Sequence, residues 1–182
     1  MAHPISLLCA LAGAALAVLA GCASPDGPHP DEVAVRVASV GFDSDAQSPV
    51  VLLVEQESPG RKLPIWIGMF EARSIAFALE QIPQPRPNSH DLLASVVKEL
   101  GGHVARVVIT ELREGTYYAQ LAIERDGRML PIDARPSDAI ALAVRTGTPL
   151  FARSGVLDAD PVRAPETQAQ LRGSTRDSRA WR

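Results

Sequence analysis

The stretch from Leu130 to Gly147 constrains this chain more than any other. It opens as the end of a strand, Met129-Leu-Pro-Ile132, turns at Asp133-Ala-Arg-Pro136 and runs as a helix from about Ser137 to Thr146, stopping at Gly147. Proline suits a first helical turn, where its missing N–H costs nothing. Ser137 and Asp138 put polar and negative groups where unpaired N–H groups and the positive end of the helix dipole lie. Ile140, Leu142, Val144 and the alanines between them make the helix apolar nearly all round, which predicts burial. Asp133 and Asp138 flank the turn, with Arg135 between them. That concentration of charge beside a buried helix is the strongest site signal in the chain.

The rest reads as alternating short elements. Val33–Val40 alternates with period two and predicts a strand, followed by a polar loop over Gly41–Pro49. Val50–Glu55 and Arg61–Ile67 predict two more strands joined at Ser58-Pro-Gly60. Gly68 ends the second of these, and Met69–Gln81 reads as an Ala-rich helix. Pro83-Gln-Pro-Arg-Pro87 is a rigid connector. Asn88 or Ser89 then caps a helix with Asp91 in its first turn, Leu92, Leu93, Val96, Val97 and Leu100 as its core stripe, and Gly101-Gly102 at its end. Strands are expected over Val104–Leu112, Thr116–Glu124 and Arg128–Ile132, with turns at Arg113-Glu-Gly115 and Arg125-Asp-Gly127. A short strand over Thr148–Arg153 follows the last helix.

The two ends have a different character. Ile5–Leu19 is apolar and uncharged, too short for a membrane span and the right length for the apolar part of a signal peptide. Leu19-Ala-Gly-Cys22 resembles a lipoprotein signal, which implies cleavage after residue 21 and lipidation of Cys22. By the same resemblance, Ala23 favours the outer membrane, facing the periplasm. Met1–Pro4 lacks Lys and Arg, so an uncleaved membrane anchor is the alternative. Residues 22–32 form a Pro/Gly/Ser tether, 33–158 the domain and 159–182 a disordered tail with five Arg against three acids. Cys9 lies in the apolar segment, so the mature domain has neither disulfide nor thiol chemistry.

Gly60-Arg-Lys-Leu-Pro-Ile65 matches Gly127-Arg-Met-Leu-Pro-Ile132, and Ala72–Leu79 resembles Ser137–Val144 with a two-residue slip in the turn. The fold expected is a single α+β domain of two repeated strand–hairpin–helix units joined by a helix, with a mostly antiparallel or mixed sheet.

Leu63-Pro-Ile-Trp-Ile-Gly68, Glu71-Ala72, Arg86-Pro87 with His90-Asp-Leu92, Gly115-Thr-Tyr-Tyr-Ala119 and Asp133-Ala-Arg-Pro-Ser-Asp-Ala-Ile-Ala-Leu142 together resemble the bifunctional nuclease family. The resemblance covers about Val33–Asp158. It implies an internally duplicated, often oligomeric α+β domain that hydrolyses RNA and DNA. An export signal departs from the usual, cytosolic-looking bacterial member.

Phosphodiester hydrolysis needs an activated water, charge stabilisation and a protonated leaving group. Asp133 and Asp138, joined by Glu71 if the two turns meet, are the candidate ligands for Mg²⁺ or Mn²⁺. Arg135 suits a phosphate, and His90 a general acid or base. Each also has a plainer role. Asp138 and Glu71 balance helix dipoles, Asp133 and Arg135 pair to order the turn, and His90 supports a cap. Trp66 reads as core or dimer packing ahead of base stacking.

Residues 31–158 hold 17 acids and 13 bases, a net −4, which opposes tight nucleic-acid binding. The sequence therefore leaves two functions open. One is a lipid-anchored, metal-dependent nuclease. The other is a non-catalytic, oligomeric binding module of the cell envelope.

Overall fold

The computed structural model describes residues 29–57 and 60–158. The signal segment, Cys22, most of the tether, Ser58-Pro59 and the tail lie outside the described residues. One seven-stranded mixed sheet carries the domain, with four helices. Strands β1 (Glu32–Asp43), β2 (Ser48–Glu55) and β3 (Lys62–Trp66) form one antiparallel meander, followed by helix α1 (Met69–Leu79). Helix α2 (Ser89–Glu99) leads into a second meander of β4 (Gly102–Arg113), β5 (Thr116–Arg125) and β6 (Arg128–Ala134). Helix α3 (Pro136–Thr146), strand β7 (Leu150–Arg153) and a helical turn α4 (Ser154–Leu157) complete the order.

The sheet order is β3-β2-β1-β7-β4-β5-β6. The short β7 thus stands between the two meanders, antiparallel to β1 and parallel to β4. Arg106 of β4 reaches Glu32 of β1 in a buried ion pair and lies 4.6 Å over the Phe151 ring of β7, so side chains tie the same three strands together. Both outer strands carry Leu-Pro-Ile: Pro64 in β3 and Pro131 in β6. Proline cannot donate to a ladder, so an edge is where a strand tolerates it.

The two turns of the second meander have two residues each, Glu114-Gly115 and Asp126-Gly127, and all four have positive φ. That is the type I′ geometry whose twist matches a hairpin, with glycine as its second residue. Gly147 stops α3 in the left-handed conformation (φ 68°), as a terminal glycine is expected to do. The core runs under α1 and α3. Val51, Leu53, Leu63, Ile65, Ile75, Val107, Ile109, Ile140 and Leu142 are all at most 2% exposed. Helix α3 packs against α1, α2, β4 and β5, so the predicted burial of its apolar face holds.

Four expectations need correction. Gly41–Asp43 belongs to β1 and Ser48-Pro49 to β2, because pairing continues to Asp43 and Ser48, leaving a tight turn with Gln47 at φ 50°. Helix α4 was not foreseen. Helices α1 and α3 are both 11 residues long and begin equally far beyond Pro64 and Pro131, so the expected two-residue offset between their starts is absent. Finally, the stripe of α2 is not core. Leu92, Leu93, Val96 and Leu100 are 42–61% exposed, and of the predicted stripe Val97 alone packs against the core, together with Ala94. Periodicity shows which residues share a face, not whether the same chain covers it.

Candidate functional site

Three helix N-termini meet at one place. Helix α1 starts at Gly68, whose missing side chain leaves room for the Glu71 carboxylate to fold back over it. Helix α2 starts at Asn88 in a complete capping box. The Asn88 side chain accepts from the His90 and Asp91 amides, and the Asp91 side chain accepts from the Asn88 amide. This fixes His90 in the first turn. Helix α3 starts at Arg135 and carries Asp138 in its first turn.

Their side chains interlock. Arg135 Nε donates to Asp138 Oδ2 at 2.7 Å, and Arg135 Nη2 donates to Asp138 Oδ1 at 2.9 Å and to Glu71 Oε1 at 3.0 Å. His90 Nε2 lies 3.1 Å from Asp138 Oδ1, and His90 Nδ1 2.9 Å from Ser74 Oγ. Ser74 Oγ also accepts from Arg145 Nη2 at 2.8 Å and from Asn88 Nδ2 at 3.2 Å. The Ser74 hydroxyl proton has one acceptor left, His90 Nδ1. With His90 neutral, its own proton therefore sits on Nε2 and is donated to Asp138.

Ser74, His90 and Asp138 form a serine–histidine–aspartate line. The hydroxyl is not placed as a nucleophile, however. Ser74 is 7% exposed and its oxygen is already saturated by three partners. It positions His90. Arg145, with its side chain 9% exposed, holds Ser74 and pairs with Asp91 at 2.6 Å.

The cluster borders an open cavity of about 460 Å³ that reaches Phe70, Arg73 and Phe77. Four of the five expected catalytic or metal residues converge here: Glu71, His90, Arg135 and Asp138. Asp133 does not join them. It is exposed in the edge strand β6, opposite Gln120, and makes no ion pair with Arg135 among the described residues. The expected Asp133–Arg135 pair is replaced by Arg135–Asp138 and Arg135–Glu71, which take up the guanidinium through Nε and Nη2. Among the described residues no three His, Asp or Glu side chains are grouped to hold a metal ion. The Nη2 of Arg135 lies between Glu71 and Asp138, where a cation shared by the two carboxylates would sit. As arranged, the carboxylates are compensated by a guanidinium and do not form a metal cage.

The sequence reading missed Ser74 and Arg145. Ser74 is the hydroxyl one turn on from Glu71, and Arg145 stands two turns on from Asp138 along the same helix face, so helical spacing was the available signal.

Burial of Asp138 works against its charge, but the hydrogen bonds and charge of Arg135 and the hydrogen bond from His90 outweigh it and hold the carboxyl below its usual value. Asp91 is lowered in the same way, burial being outweighed mainly by Arg145 and the Asn88 amide. A depressed carboxyl contributes stability in full above its unfolded value, about pH 4, and loses it as pH falls through the lower folded value. Urea unfolding midpoints are thus expected to fall below about pH 4, and less steeply in Asp138→Asn. Equal slopes in both proteins would remove Asp138 from the account.

The family model for the bifunctional nuclease domain matches residues 51–165, from β2 onward. An uncharacterised protein of Mycobacterium tuberculosis is 40% identical over 123 residues, which is 68% of this chain and 73% of that protein. Bifunctional nuclease 1 of Arabidopsis thaliana is 27% identical over 125 residues, 67% of this chain but 38% of its own length. Bifunctional nuclease 1 of Oryza sativa subsp. indica is 31% identical over 111 residues, covering 59% of this chain and 33% of the rice protein. The chain therefore spans well under half of these plant relatives. By the family match and the identity of the mycobacterial relative, this chain belongs to the bifunctional nuclease domain family.

Proposed function

We propose that the domain hydrolyses phosphodiester bonds of RNA or DNA in the cleft beside Arg135. One observation carries this reading. Arg135 is gripped through Nε and Nη2 by two carboxylates, while its Nη1 has no partner among the described residues and its side chain is 67% exposed. A guanidinium so fixed presents the two N–H groups of Nη1, each able to donate a charge-assisted hydrogen bond to a phosphate oxygen. The His90–Asp138 couple lies beside it and can handle protons. Water attacks phosphorus and the bond to the leaving oxygen breaks. Asp138 Oδ2, which accepts one hydrogen bond among the described residues, takes one proton from the water and returns it to the leaving oxygen while His90 Nε2 keeps Oδ1 engaged, so one water is consumed.

The plant relatives' name, bifunctional nuclease, supports the substrate class. A Mg²⁺ or Mn²⁺ requirement is kept in the proposal without the expected three-carboxylate site, because Arg135 occupies the place between Glu71 and Asp138 and Asp133 stands apart, and no step is routed through the metal. The test uses protein purified from Cys22 onward, incubated with single-stranded RNA and DNA and with Mg²⁺, Mn²⁺ or EDTA. Wild type is expected to cleave, and His90→Gln and Asp133→Ala/Asp138→Ala to lose most of that activity. Equal cleavage by all three proteins, or by none, sinks the nuclease reading. Full activity in EDTA sinks the metal requirement alone.

The two meander–helix halves also read as copies of one unit. One constant spacing relates Leu63-Pro64-Ile65 to Leu130-Pro131-Ile132, Gly68 to Arg135, and Glu71 to Asp138. On that reading the two carboxylates that grip Arg135 are equivalent residues, and the arginine is the novelty of the second copy.

A second reading, an oligomeric binding module tethered through lipidated Cys22, is favoured by the bare apolar face of α2. Patches of this kind mark contact surfaces. No helix among the described residues is long and apolar enough to cross a membrane. Leu92→Asp/Val96→Asp is expected to convert a homo-oligomer to a monomer in sedimentation without lowering the melting temperature of the monomer. A wild type that sediments as a monomer rules the assembly out.

A further inference from the structure

Arg135 borders a second cavity, of about 420 Å³, on its other side. This one lies between the end of β3, the N-termini of α1 and α3, and the β4–β5 turn. Its chemistry differs from that of the cleft. Arg135 is the one charged residue among those lining it, and no acid lines it, whereas Glu71 and Asp138 line the cleft.

Ser137 and Tyr117 are among its lining residues, and neither hydroxyl has a partner among the described residues. Ser137 is 7% exposed, and its side chain has no hydrogen-bond partner among the described residues. Its amide is also left over. Pro136 has no N–H, and the Asp138 and Ala139 amides both reach the Arg135 carbonyl at 3.1 Å, so Ser137 N–H is the first-turn donor of α3 without an acceptor. Tyr117 Oη is buried with no partner, and burial pushes the phenol's pKa up, which keeps it a donor. A buried hydroxyl left unpaired costs about 1–3 kcal/mol, so the Tyr117 hydroxyl calls for an acceptor. Neither helix N-terminus at this cavity has a side-chain cap. Trp66 forms part of the wall, with its Nε1 held by Asp43 Oδ2 at 2.9 Å.

The site therefore offers the Ser137 amide and hydroxyl, the Tyr117 hydroxyl, the positive end of an 11-residue helix and one cation, and the carboxylates nearest its wall, Glu71 and Asp43, are already held by Arg135 and Trp66. An acceptor-rich tetrahedral oxyanion satisfies all of these at once. An indole fixed at its edge adds a platform for a base. We propose that this cavity is a subsite for a nucleotide phosphate next to the one bound in the cleft, so that Arg135 stands between successive phosphates of one strand. The identification of the ligand as a nucleotide rests on the nuclease reading; the oxyanion site does not.

Calorimetric titration at low salt with inorganic phosphate, adenosine 5′-monophosphate and adenosine tests this. The monophosphate is expected to bind most tightly, phosphate more weakly and adenosine undetectably. Ser137→Ala and Tyr117→Phe are each expected to weaken both phosphate-bearing ligands about tenfold, the effect of one lost hydrogen bond to a charged group. Tyr117→Phe should also leave the melting temperature equal or higher, since it removes an unsatisfied buried hydroxyl, so weaker binding cannot be put down to unfolding. If the wild type cleaves no nucleic acid yet binds phosphate in a Ser137-dependent way, the subsite stands and the nuclease reading falls. Absence of phosphate binding, or unchanged affinity in both variants, overturns the subsite.

Discussion

Arg135→Met is expected to lower phosphodiester cleavage by about 10²–10³-fold while the fold persists, the loss seen when a preorganised donor to a developing charge is removed. The side chain is 67% exposed, so its ion pairs stabilise the native state by no more than about 1 kcal/mol. Its value lies in geometry. Asp138 and Glu71 hold three of the five N–H groups and leave Nη1 facing the phosphate. Arg135→Lys keeps the charge but has no fork to be gripped and presented at once, so it should recover only a small part of the activity. Glu71→Gln tests the grip separately. It should raise KM more than it lowers kcat, because Asp138 still holds the guanidinium in line. Cleavage by Arg135→Met at the wild-type rate, with an unchanged melting curve, would show that the phosphate is held elsewhere.

Arg145→Leu is expected to be the most destabilising single change near the site, at about 3–5 kcal/mol. The guanidinium is 9% exposed and donates to Asp91 Oδ1, the Ala141 carbonyl, and both the carbonyl and hydroxyl of Ser74. Leucine fills much of the volume but leaves a carboxylate and a carbonyl facing an apolar side chain. Because Arg145 is the main opponent of the burial that disfavours the charge of Asp91, the deficit should be complete above about pH 4 and shrink as pH falls through the folded value. The same change frees a lone pair on Ser74 Oγ. His90 can then carry its proton on Nδ1, a tautomer that the native donor count forbids. Ring-nitrogen chemical shifts of His90 would report it. A loss of activity without that change in the shifts would mean that Arg145 acts on folding alone.

Local chemistry made much of this arrangement legible. Pro136 and Gly147 bracket α3, Asn88 and Asp91 cap α2, and Glu114-Gly115 and Asp126-Gly127 make their hairpins. Each of these signals acts over a few residues, so each can be read locally. What depends on distant partners was harder to read. Asp133 and Asp138 are close in sequence, and both looked suited to one metal site, yet one ends a strand and the other begins a helix. The partner of Asp138 turned out to be His90, on another helix, and that of Arg135 to be Glu71, in the other half of the domain. Ser74 drew no notice in an Ala-rich helix, because its role exists only once Arg145, Asn88 and His90 surround it. The stripe of α2 was identified correctly as a face and wrongly as core, since periodicity carries no information about what lies opposite.

The position of β7 has a consequence for how the domain comes into being. Its four residues are made after both meanders, yet they form the seam that unites them, pairing Glu32–Val35 on one side and Val107–Ile109 on the other. A chain emerging in order can build each meander from near neighbours, at modest loop-closure cost. It cannot join them until Leu150–Arg153 arrives. Until then the inner edges of β1 and β4 stay open, and the cleft that needs both halves has no fixed shape. Assembly of the site is thus timed by β7, and a nuclease on this plan would stay inert until Leu150–Arg153 has been made.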